Sequence, residues 1–207
     1  MTEDNPIADH ERDFLAALGA LIVEYNGAEN AFRNLLASAA TAKPISREAQ
    51  ALAQILTVEL GNVALTQAMR SYATDVAPAE MEQPLKDAAT YLDTIREHRN
   101  FYVHGMAIVL TFADVGTQGH IYGMSAKGAL KEHKTTVSKT EIDALIAHCK
   151  IAKQFFRDLM FRLDFLQGNW RAGYEPQLPD TPIPLGRLSK PAQHWREYFP
   201  RPQSSGQ

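Results

Sequence analysis

The feature that most constrains the fold is a regular apolar stripe near the end of the chain. Over residues 142–166, apolar side chains recur at intervals of three and four, which places them on one face of an α-helix. The stripe comprises Ile142, Leu145, Cys149, Ala152, Phe156, Leu159, Leu163 and Leu166. Ser138 and Glu141 precede it with the spacing of a capping box. The pattern predicts a long helix in the core of a bundle, with a coiled-coil dimer seam as the alternative.

Three further segments show helical periodicity. The first predicted helix spans residues 9–40, the second spans 46–74, and the third begins near Pro84 and ends near Gly105. The core candidates of the second helix are Leu52, Ile55, Leu56, Leu60, Val63 and Met69. We therefore expect an all-α fold, a four-helix bundle of long helices.

Two segments depart from this pattern. Residues 106–137 contain β-rich runs separated by glycine-containing turns, which predicts a small antiparallel β insert between helices 3 and 4. From residue 168 onward, prolines recur among tryptophan, tyrosine and phenylalanine, so this part cannot be helical throughout. We expect a helical domain over 9–167 and a Pro-rich, aromatic C-terminal extension over 168–207.

Composition limits the classes of function. The 207 residues carry a formal net charge of −3, which argues against a broad basic surface for duplex DNA. The single cysteine, Cys149, excludes an internal disulfide framework, and its place on the apolar stripe favours an inert core thiol. The acidic N-terminus does not resemble a targeting segment, and no apolar run reaches the ~20 residues of a membrane span. We expect a cytoplasmic protein without a membrane segment.

The third helix ends in an unusually polar stretch, residues 96–105. Its apolar stripe passes through Ile95 to Tyr102, and Arg99 occupies a position on it where an apolar residue is expected. A guanidinium does not deprotonate, so burying it is costly unless it is paired or reaches a polar cavity. Asn100 and His104 are four residues apart and lie on one face of the same helix.

The first helix has a matching anomaly at Glu29, a carboxylate on the otherwise apolar face. Two interpretations stay open. Glu29 forms an i,i+4 pair with Arg33, or it is the buried partner of Arg99, in which case each supplies the charge that the other lacks.

The histidines do not predict a metal site. None of the seven is four residues from another, as a helical metal clamp requires, and no carboxylate motif accompanies them. The sequence also lacks a Gly-rich phosphate loop. We expect neither a metal nor a cofactor.

The segment Arg99-Asn100-Phe101-Tyr102-Val103-His104-Gly105 resembles the Arg-Asn-x-x-x-His motif of HEPN domains. These are helical bundles, often dimeric, and many are metal-independent ribonucleases of toxin–antitoxin, phage-defence and RNA-processing systems. The resemblance extends over residues 9–167, and the β insert and the C-terminal extension depart from the minimal bundle.

The resemblance implies a metal-independent endoribonuclease, a toxin or phage-defence effector, acting on RNA as a homodimer with an antitoxin or other protein partner. His104 would move a proton, Arg99 would stabilise the charged phosphate, and Asn100 would orient the phosphate or the imidazole. Glu29, Arg96 and Tyr102 are supporting candidates, and His98 is a further candidate for RNA contact. The alternative is a non-catalytic helical module that binds a protein or a nucleotide.

Overall fold

The computed structural model describes residues 6–41, 47–104, 106–108, 118–125, 131–170, 173–183 and 185–186. Within these ranges the chain forms five helices, so the fold is predominantly helical, as predicted. The helices are α1 (Pro6–Ala40), α2 (Arg47–Glu59), α3 (Asn62–Asp75), α4 (Ala79–His104) and α5 (Lys139–Leu166). None of the helices in the described part is long and apolar enough to cross a membrane.

The core lies where α1 and α5 pack side by side. These two helices run parallel, since Phe32 stacks edge-on against Phe156 with ring centroids 5.1 Å apart, and Ser38 binds Asp164 further along both helices. The apolar stripe of α5 is buried at its first seven positions, and Leu166 is partly buried. Because α1 and α4 cover this stripe within one chain, the core interpretation of α5 is confirmed.

The predicted second helix, 46–74, is wrong as a single element, because α2 ends at Glu59 and α3 starts at Asn62. Gly61 has φ −64° and ψ 157°, an extended conformation that interrupts the helical hydrogen bonds. Arg33 of α1 then donates to the carbonyl oxygens of Thr57 and Leu60, two acceptors freed at the end of α2. The break therefore replaces four long helices with five.

The break also changes which side chains are buried. Met69 is buried and Leu60 is partly buried, but four of the six predicted core residues of this segment are more than half exposed. These are Leu52, Ile55, Leu56 and Val63. Periodicity identified the apolar face of α2 correctly, but Leu52, Ile55 and Leu56 on that face lie at the surface, since among the described elements α2 packs mainly against α1.

The ends of α4 and α5 follow local sequence signals. The structure starts α4 at Ala79, five residues before the predicted start, and places Pro84 in its second turn. Pro84 has no N–H to donate to the carbonyl of Glu80, and Glu80 is exposed, so that carbonyl is open to solvent. The capping box of Ser138 and Glu141 is confirmed, and Gly168, with φ 75°, follows the end of α5.

Among the described residues between α4 and α5, three strands are formed: β1 (Met106–Ile108), β2 (Gln118–Ser125) and β3 (Lys131–Ser138). They form an antiparallel sheet in the order β1-β2-β3, with Met106 opposite Tyr122 and Gly123 opposite His133. The sheet follows directly from the end of α4, so it lies next to the motif helix.

The segment after α5 returns over α5 and α4. Arg162 donates to the carbonyl of Pro176 at 3.0 Å, and Thr181 donates to Asp87 of α4 at 3.1 Å. Leu185 packs against the core. The segment therefore follows α4 towards its C-terminal half, where the motif lies. The predicted extension beyond residue 186 lies outside the described residues, as do residues 1–5. The sequence predicts a loose acidic tail over residues 1–8, which is wrong for its last three residues because α1 begins at Pro6.

Candidate functional site

Arg99 lies near the C-terminal end of α4 and is half-buried. Its guanidinium carbon is 5.2 Å from the ring centroid of Tyr25 on α1, a cation–π contact. Its Nη1 atom donates to Oδ1 of Asn100 at 3.1 Å. Two neighbouring residues of the motif are thus in direct contact, and an aromatic ring from another helix limits where the cation can point.

Tyr25 is almost fully buried and is itself held by polar groups. Asn62 of α3 donates to its hydroxyl oxygen at 3.4 Å, and the hydroxyl donates to Glu29. Burial raises the pKa of Tyr25, and the nearby charge of Glu29 raises it further, while the positive charges of Arg96 and Arg99 oppose the shift. Tyr25 is therefore a neutral phenol under Arg99 that links α1, α3 and α4.

The contacts of Glu29 decide whether its carboxylate pairs with Arg33 or with Arg99. Its Oε1 atom accepts from Nε of Arg33 at 3.1 Å and from Nη2 at 2.6 Å. Both side chains are largely buried, with exposed fractions of 15% for Arg33 and 19% for Glu29. The i,i+4 pair is thus the contact that forms, and Glu29 approaches the Arg99 region through the hydroxyl of Tyr25.

Arg96, one turn before Arg99, belongs to a second polar network. Its Nη2 atom lies 2.8 Å from Oδ1 of Asp93, which also accepts from Thr66 at 3.1 Å and, through Oδ2, from Arg70 at 2.7 Å. The Nη1 atom of Arg96 is buried and has no hydrogen-bond partner within the described ranges. Asp93 therefore holds Arg96 through Nη2, while Nη1 is enclosed by protein.

The other predicted residues differ in exposure. Asn100 is exposed, whereas Tyr102 is buried and its pKa is raised to about 12 by burial and by the charge of Glu141. His98 is buried, and its Nε2 atom lies 3.0 Å from the carbonyl oxygen of Gly186 in the returning segment. His104 is the last residue of α4, and its side chain lies outside the described residues.

The structure therefore brings Arg99, Asn100 and Arg96 to one region of α4, with Glu29 behind it. Tyr102 packs in the core with its ring beside Phe101, and His98 bonds Gly186. In the part of the chain that the structure describes, no group of three or more His, Cys, Asp or Glu residues is placed to hold a metal ion. The chemistry that these residues support is the binding of an anion by fixed guanidinium groups.

Sequence reasoning missed the residues that hold Arg99 and Arg96 in place, namely Tyr25 and Asp93. Tyr25 lies on an apolar stripe and is indistinguishable there from an ordinary core aromatic. Asp93 had a usable signal, since it precedes Arg96 by three residues, a spacing that brings two side chains together on a helix.

No protein-family model matches this chain, and no match was found among curated proteins or solved structures. The resemblance to HEPN domains therefore rests on the sequence motif alone.

Proposed function

We propose that this protein is a metal-independent endoribonuclease of the HEPN type. Its bundle is HEPN-like, α2 and α3 together taking the place of one long helix, with the β insert and the Pro-rich extension as additions. Arg99 stabilises the charged phosphate, His104 is the acid and base, and Asn100 orients the phosphate. The observation that carries the proposal is the position of Arg99, held on Tyr25 and bonded to Asn100 while Glu29 pairs with Arg33.

RNA supplies its own nucleophile, so the site has little covalent chemistry to perform. The 2′-hydroxyl attacks the adjacent phosphorus, and the bond from phosphorus to the 5′ oxygen breaks. One imidazole takes the proton of the 2′-hydroxyl, and a protonated imidazole gives a proton to the leaving 5′ oxygen. The products are a 2′,3′-cyclic phosphate and a 5′-hydroxyl, and neither oxidant nor metal is consumed.

A homodimer fits this chemistry, because two imidazoles are needed and each chain has one motif histidine. His104 and His104 of the partner subunit would share one cleft, one as base and the other as acid. A free nuclease of this kind would damage its host, so we place it in the cytoplasm as a toxin or phage-defence effector restrained by an antitoxin or another protein.

The test compares RNA cleavage in EDTA by wild type, Arg99→Ala and His104→Ala. Loss of His104 should lower the rate about 10²- to 10⁴-fold, and loss of Arg99 about 10²- to 10³-fold. His148→Gln is the matched control, because His148 lies on α5 and bonds Tyr91 at 2.7 Å, away from the motif. Equal activity in all four proteins would refute the assignment.

One observation favours a second function, a non-catalytic helical module that binds a protein. The outer face of α2 exposes Leu52, Ile55 and Leu56 by 57–62%, beside an apolar groove of about 450 Å³. Contiguous exposed apolar surface often marks protein contact. A chain that forms a stable protein complex and leaves RNA intact in every preparation would favour this function.

A further inference from the structure

A second surface groove lies between α1 and α5, on a different face of α1 from Tyr25. It encloses about 420 Å³, and Asn30 and Asn34 line it from α1 while Lys153 and Arg157 line it from α5. Asn34 is nine residues after Tyr25, which is about 180° around the helix at 3.6 residues per turn. The groove is therefore separate from the Arg99 region.

Among the described residues, the side-chain donors that line the groove form no hydrogen bonds with other protein groups. Arg157 is exposed and forms no ion pair within the described part of the chain. Lys153 has one carboxylate nearby, Glu24, with 3.9 Å between Nζ and Oε2, beyond hydrogen-bond distance. The amides of Asn30 and Asn34 likewise make no hydrogen bond in the described ranges. Two cations and two amides thus face one groove.

The base of the groove has a different character. The stem of Lys153 lies against α1 at Gly27, where an added Cβ atom would be in ordinary van der Waals contact with Cδ of Lys153, at 3.5 Å. Ala31, Met160 and Phe161 supply apolar surface. The groove therefore combines a positively charged rim with an apolar base, and a hydrated ion alone would not use that base.

Aromatic rings continue from one end of the groove. The rings of Phe161 and Trp170 have centroids 5.1 Å apart, and those of Trp170 and Tyr174 have centroids 5.5 Å apart. Trp170 is fixed by donating Nε1–H to the carbonyl of Tyr174 at 2.8 Å, and Tyr174 is 63% exposed. Phe161 also lines the neighbouring cavity beside Tyr174 and Pro176.

We infer that this surface, the α1–α5 groove with its aromatic extension, binds single-stranded RNA. A cationic groove for the backbone next to aromatic rings for the bases is the arrangement by which proteins hold single strands. Lys153 and Arg157 contact phosphates, and exposed Tyr174 stacks on a base. The choice of RNA rests on the proposed nuclease function, and the groove would hold the substrate strand outside the Arg99 region.

The experiment measures binding of a fluorescein-labelled 12-nucleotide oligouridine by anisotropy, in EDTA and with His104→Ala in every protein so that cleavage does not interfere. Each lost phosphate contact removes about 0.7 from the slope of log K against log salt for a single strand. Lys153→Gln and Arg157→Gln should each weaken binding about 5-fold at 0.1 M salt, and the double variant about 25-fold. Tyr174→Ala should weaken binding at least about 5-fold with an unchanged salt slope.

Lys86→Gln is the matched control, because Lys86 lies on α4 and pairs with Glu82 at 2.6 Å. It removes one positive charge and should leave affinity within about 2-fold of the reference. Unchanged thermal unfolding of all variants shows that they fold. The inference is overturned if the double variant binds RNA with the same affinity and salt slope as the His104→Ala reference protein. It is also overturned if an oligoglutamate peptide competes with RNA when both are at the same concentration.

The inference and the proposed function fail separately. If cleavage depends on His104 but RNA binding does not depend on Lys153 and Arg157, the groove is not the RNA-binding site and the nuclease function stands. If RNA binding depends on the groove but wild type does not cleave RNA, the nuclease function is refuted and the RNA-binding groove stands.

Discussion

Replacement of Arg33 by methionine tests how the charge of Glu29 is balanced. The substitution keeps the apolar stem and removes the guanidinium, which binds Oε1 of Glu29 through two nitrogens and the carbonyl of Leu60 at 3.2 Å. Breaking a buried charge pair costs 3–5 kcal/mol, and the exposed fractions of 15% and 19% place this pair at the lower end. We expect a loss of about 3 kcal/mol in the free energy of unfolding.

For a chain of this size, that loss corresponds to a fall of about 6–12 °C in Tm, since 1 kcal/mol shifts it by about 2–4 °C. Chemical denaturation followed by circular dichroism gives the free energy directly. Arg157→Met is the control, because an exposed residue without an ion pair in the described ranges should change stability by no more than about 0.5 kcal/mol.

A double-mutant cycle then separates the two candidate partners of Glu29. With Glu29→Gln as the second substitution, the coupling to Arg33 should be about 1–3 kcal/mol and larger than the coupling to Arg99. The reasoning fails if the coupling to Arg99 is the larger one, or if Arg33→Met is as stable as wild type.

Three further predictions concern other buried groups. Tyr25→Leu should slow RNA cleavage more than Tyr25→Phe, because phenylalanine keeps an aromatic ring beneath Arg99 and leucine does not. The ring of Tyr25 lies 5.2 Å from the guanidinium carbon. Equal rates of the two variants in initial-rate assays would contradict this prediction. Burial raises the pKa of Cys149 to about 12, so its thiol should react with an aromatic disulfide reagent only as fast as the chain unfolds; rapid labelling of the native protein would disprove it. Burial also raises the pKa of Asp164, partly opposed by the bond from Ser38, so its contribution to stability is present below the unfolded pKa and is lost as pH rises. Asp164→Asn should therefore be more stable than wild type at pH 7, and the difference in stability should be smaller at pH 4. Denaturation curves that show a larger difference at pH 4 would contradict this prediction.

The predominantly helical fold was predictable from periodicity, most clearly for α5. Its stripe from Ile142 to Leu163 is buried, and Ser138 starts the helix as the capping box indicates. Patterns of this kind depend on local geometry, which one segment of sequence contains in full.

The break at Gly61 was missed because its decisive contact is not local. Glycine alone does not end a helix, and Asn26-Gly27 lies within α1 without interrupting it. At Gly61 the carbonyls freed at the end of α2 are bound by Arg33, which is more than twenty residues earlier in the chain. The same long-range packing leaves Leu52 and Leu56 exposed on a face that periodicity assigns to the core.

The candidate site was predictable mainly for residues on α4, with Glu29 of α1 as the exception. Arg99 was singled out by its polarity on an apolar stripe and Asn100 by its spacing from His104, and Arg99 and Asn100 are in contact. The ring of Tyr25 beneath Arg99 was not predictable, because its position depends on how α1 crosses α4 and not on the spacing of either helix. The α1–α5 groove likewise depends on the parallel packing of two helices far apart in sequence.

We propose that Arg99 and His104 cleave RNA by attack of the 2′-hydroxyl without a metal. Identification of the product ends in EDTA tests it most directly, with wild type and His104→Ala compared on the same single-stranded substrate. We predict 2′,3′-cyclic phosphate and 5′-hydroxyl ends from wild type, formed at least about 10²-fold faster than from His104→Ala. Products with 3′-hydroxyl and 5′-phosphate ends, or equal rates from the two proteins, would contradict it.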